Sequence, residues 1–187
     1  KFYHAPGPKR DMIILVGDVQ AVSSEAQYEV TGKILDYYHS LGGSEIITLG
    51  GYGTGKAITA PRVLGAASHK KLVPGYAKQG IVFGESRGAI VGAAGLLLGL
   101  GRIRGMHGVC LMGETHGGFV DPRSAQAVLE MLGKMMGVKI DISGLQAKIE
   151  QGDKFVKKME AKAAKTAGQE LVPGGAGARP HDLSYIR

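Results

Sequence analysis

The feature that most constrains this chain is the alternation of uninterrupted apolar runs with helical periodicity. Asp11–Gly17, Glu45–Leu49 and Met106–Met112 are each apolar almost throughout. A strand with one face in water alternates apolar with polar, so a continuous run predicts a strand buried on both faces, the mark of a parallel sheet. Between the runs, Tyr28, Thr31, Ile34, Leu35 and Tyr38 recur at helical spacing. Ser24 with Gln27 predicts a capping box at the start of that helix, and Gly42-Gly43 its end. A second helix is punctuated as clearly: Asp121 as N-cap, Pro122 at the first position, an apolar stripe from Ala125 to Met136, and Gly137 as the stop. Ala89–Leu100 reads as a buried helix, because its twelve residues fall well short of the roughly 20 needed to span a membrane. Arg62–Ala67 and Ile81–Phe83 are expected strands, and His69–Gln79 a short helix interrupted by Pro74. Strands alternating with helices predict an α/β domain with a mostly parallel sheet covered on both faces.

The rest of the composition narrows the class. With 187 residues, 44% hydrophobic and 21% charged, the chain is an ordinary globular one, which excludes disorder throughout. One cysteine, Cys110, excludes a disulfide framework and points to a reducing cytoplasm. The net charge is +7, and part of the excess is local: residues 148–165 hold six lysines against three acids. No recognition motif accompanies it, which argues against nucleic acid. That stretch belongs to a final helix opened by Ser143, whose stripe of Leu145, Ile149, Gly152, Val156, Met159 and Ala163 makes a seam near a 3.5 period, suited to the core or to a partner helix. Val172–Pro180 is rich in Gly, Pro and Ala and reads as flexible. The expected division is a core over 1–142, a C-terminal helix over 143–166 and a flexible tail over 167–187.

Three short patterns bear on chemistry. Gly50–Lys56 follows a strand and nearly fits the phosphate-binding loop, giving Gly51, Gly53, Thr54, Gly55 and Lys56, with Glu114, as a candidate anion or ligand loop. It departs from that loop at Ala57, where the metal-binding hydroxyl should stand, and at Pro61, which opposes a long helix directly after it. Gly84-Glu85-Ser86-Arg87-Gly88 fits a nucleophile elbow. Asp121 and His181 would follow in triad order, while the plainer reading makes Ser86 a helix cap. Glu114 and His116 stand where a parallel strand ends, the edge at which α/β sheets bind ligands, but two such residues are too few for a metal site. Asp18 would bind a metal or cap its loop, and Cys110 lies mid-strand as a core residue. No catalytic set, metal site or cofactor site emerges.

Taken in order, Met12–Gln20, Gly50–Lys56 and the stretch from Gly113 through Val120-Asp-Pro-Arg-Ser-Ala125 resemble the archaeal branch of the proteasome assembly chaperone family, relatives of the second eukaryotic proteasome assembly chaperone. The resemblance covers about Asp11–Lys165. It implies a three-layer α/β/α sandwich of the nucleoside-phosphorylase-like kind, a homo-oligomer, no established catalytic site and proteasome core-particle subunits as partners. It also implies that relatives begin with a further strand–helix unit before the residue equivalent to Lys1, without which a sheet edge would be exposed. Docking family members use a terminal hydrophobic–Tyr–any motif. Here Leu183, Tyr185, Ile186 and Arg187 are the corresponding candidates, with Tyr185 third from the end and Ser184 before it. An ATP-grasp-like label carried by such proteins implies the alternative, a small-molecule enzyme acting on a phosphorylated or nucleotide-like substrate at the glycine loops.

Overall fold

The structure is a computed structural model and describes residues 1–8, 10–85, 89–152 and 154. The chain divides into two units, Lys1–Gly152 and Asp153–Arg187, and the elements below belong to the first. They are β1 (Phe2–Ala5), β2 (Met12–Leu15), α1 (Ser24–Ser40), β3 (Glu45–Gly53), β4 (Val63–Ala67), a 3-10 turn (Lys70–Leu72), α2 (Val73–Ala77), α3 (Ala93–Ile103), β5 (His107–Thr115) and α4 (Pro122–Met136). Residues 143–152 are helical as well.

The main sheet has the order β3-β5-β4. β3 and β5 run parallel over a long register, from Glu45 opposite His107 to Gly53 opposite Thr115. β4 is antiparallel to β5, and Val82 adds a parallel bridge to Leu64 on the far side of β4. Period-two alternation along β5 sends its side chains to opposite faces. Val109 and Leu111 pack with Val63, Tyr76, Ile81 and Val128, so α2 and α4 cover one face. Cys110 and Met112 pack with Leu64 and Leu98 of α3 on the other, where Leu35 of α1, Ile46 and Met106 extend the layer. This is an α/β/α sandwich with β5 as its spine, and every residue from Gly108 to Glu114 is buried.

Glycine sets how closely the layers approach. A Cβ on Gly113 would lie 2.3 Å from Ser124 Oγ and 2.8 Å from the Ser124 carbonyl oxygen, so α4 lies almost on the backbone of β5. The α4 signals act as expected. Asp121 accepts the N–H of Ser124, Pro122 opens the helix, and Gly137 ends it at a φ of 67°.

Four expectations need correction. The run Asp11–Gly17 is not an interior parallel strand. Met12–Leu15 pairs antiparallel with Phe2–Ala5 in a separate two-stranded sheet, and Ile14, Leu15 and Val16 stay about half exposed. An apolar run specifies burial on two faces without specifying which strand supplies the hydrogen bonds, and here the nearest strand in sequence does so. The cap of α1 is Ser23, whose Oγ accepts the Ala26 N–H, while Gln27 Nε2 donates to the Ala21 carbonyl rather than closing a box with Ser24. α3 begins at Ala93, not Ala89, because Gly92 sits at a φ of 82°, outside helical space, and Gln20 Oε1 caps the Ala93 N–H. Ser86, the expected helix cap or nucleophile, lies outside the described residues. Ile81–Phe83 forms only the Val82 bridge.

Candidate functional site at the carboxyl edge of the sheet

β3 and β5 end side by side, so the loops that follow them meet. The first four residues of the glycine loop are strand: Gly50 to Gly53 pair with Met112 to Thr115. Thr54 N–H then donates to the Thr115 carbonyl at 2.8 Å and Gly55 N–H to the His116 carbonyl at 3.2 Å. Thr54 Oγ1 also donates to the Thr115 carbonyl and accepts the Lys56 N–H. A phosphate cradle needs free N–H groups converging at a helix N-terminus. In this loop the N–H groups of Thr54, Gly55 and Lys56 are taken, and no helix follows before the 3-10 turn at Lys70. The two loops are zipped to each other, and the exposed Lys56 side chain is the loop's remaining cation.

Glu114 is not a free acid. Its side chain is 10% exposed and receives three hydrogen bonds from Arg62: Nη2 at 2.6 Å, Nε at 3.1 Å and the backbone N–H at 3.0 Å. The guanidinium holds the Glu114 carboxyl below its ordinary range against the opposing effect of burial. Arg62 Nη1 reaches on to Glu85 at 2.8 Å. Arg62 therefore ties the end of β5 to the segment that leads toward α3. Arg62 opens an expected strand, but nothing in the sequence marks it as part of a site, and the observed strand begins one residue later, at Val63. The antiparallel register that places Val63 opposite Gly113 brings Arg62 beside Glu114.

The remaining candidates separate. His116 stacks on Phe119 with ring centroids 4.8 Å apart, and its Nδ1 accepts the Gly118 N–H. Asp121 is spent as a helix cap. Cys110 is fully buried in the core, and desolvation pushes its thiol up from the ordinary value. Leu145 is half-buried and Ile149 buried, while Val156, Met159 and Ala163 lie outside the described residues. So do Leu183, Tyr185, Ile186 and Arg187, and His181 with them. Among the described residues, no three His, Cys, Asp or Glu side chains form a group able to hold a metal, and no helix is long and apolar enough to cross a membrane.

Residues 1–160 match the family model described as the PAC2 family. The uncharacterised protein MJ1210 of Methanocaldococcus jannaschii is 35% identical over 188 residues, spanning 100% of this chain and 70% of that protein. Pyrococcus furiosus PbaB, described as an archaeal proteasome activator, is 38% identical with a TM-score of 0.78, over 85% of this chain and 70% of that one. P. furiosus PbaA, described as an archaeal homolog of proteasome-assembly chaperone, is 25% identical with a TM-score of 0.71, over 90% of this chain and 68% of that one. A Streptomyces avermitilis PAC2 family protein shares the fold at 19% identity and a TM-score of 0.70, over 88% of this chain and 69% of that one. On sequence and fold together, the chain belongs to the PAC2 family, among the archaeal homologues of proteasome-assembly chaperones.

Proposed function

We propose that this protein is a non-enzymatic partner of the proteasome core particle, acting in the cytoplasm as a homo-oligomer and docking through the segment Leu183–Arg187. The observation that carries the reading is the 38% identity, over 85% of the chain, to a protein described as an archaeal proteasome activator. The similarity to a protein described as a homolog of proteasome-assembly chaperone points to the same partner. The chemistry of the sheet edge agrees: its buried carboxylate is committed to Arg62, and the N–H groups of the glycine loop are committed to the neighbouring strand end. In Leu183, Tyr185 and Ile186 the tail offers an aromatic and two aliphatic anchors. Burying such side chains contributes on the order of 3–5 kcal/mol before ordering costs. The net affinity of one tail is then weak, and several tails on one oligomer act together.

The test is capture of purified core particle by the full chain and by a variant lacking Tyr185–Arg187. The intact chain should retain the particle, and the truncated one should lose most of the binding while keeping its fold and oligomeric state. Equal retention would remove the docking role of the tail. A nucleotide and sugar-phosphate thermal-shift screen tests the enzyme alternative. A ligand at 100 times its Kd would stabilise the fold by about 2.7 kcal/mol, and no such shift is expected.

A further inference from the structure

We draw no further inference here: the strongest candidate, the exposed apolar surface of the β1–β2 hairpin and α1 that holds Tyr3, Ile14, Val30 and Tyr37, together with the edge of β3 left unpaired among the described residues, carries nothing because nothing in the structure shows what covers it.

Discussion

Glu114 and Arg62 show how one residue changes meaning between sequence and structure. At a strand end, Glu114 looks like a ligand or acid; in the fold, Arg62 wraps both its oxygens. Because the pairing holds the folded carboxyl below its ordinary value of 4.5, it contributes stability above that pH, and the contribution is lost as pH falls through the depressed value. Glu114→Gln should therefore lower stability at pH 7 by about 1–3 kcal/mol in urea unfolding. It should also flatten the fall in stability below pH 4.5, so that the two proteins converge in acid. Cys110 gives a second check. Fully buried, with its thiol pushed up by desolvation, it should resist a thiol reagent at pH 8 in the native protein and react at once in denaturant.

At the scale of elements, α4 and its approach to β5 are the most tightly specified part of the fold. Asp121→Ala should cost about 1 kcal/mol through the lost cap. Gly113→Ala should cost more, about 1–3 kcal/mol, because a methyl group 2.8 Å from the Ser124 carbonyl oxygen forces α4 away from the sheet. Both are read from thermal or urea midpoints, and a Gly113→Ala protein as stable as wild type would contradict the close packing. These elements were legible because their signals are local: cap, proline, stripe and stop for α4, and an uninterrupted apolar run for β5. The hairpin was not, since Met12–Leu15 carries the same pattern as an interior strand and only its partner, Phe2–Ala5, distinguishes the two. The late start of α3 was hidden by the left-handed conformation of Gly92, which composition cannot reveal in an apolar run. The Arg62–Glu114 pair joins residues 52 apart, and nothing local announces a register. The glycine loop misled for a related reason: its spacing suits a phosphate, but its N–H groups are already committed to the strand end beside it.

At the scale of the whole molecule, exposed apolar surface is concentrated in the hairpin region and on α1. Phe2, Tyr3, Ile14, Leu15 and Val16 of the hairpin region remain substantially exposed, as do Tyr28, Val30 and Tyr37 of α1. Large exposed apolar surfaces mark contact with other chains, in keeping with the proposed homo-oligomer. Light scattering at micromolar concentration should show a species larger than one chain, and a strict monomer would count against the avidity on which weak tails depend. The proposed function has the molecule recognise a proteasome rather than transform a small molecule. Its most direct test is mass photometry of purified core particle mixed with the full chain at 50 mM salt. A discrete added mass on the particle is expected, diminished when Tyr185–Arg187 are deleted. A particle of unchanged mass at saturating chain concentration would contradict it.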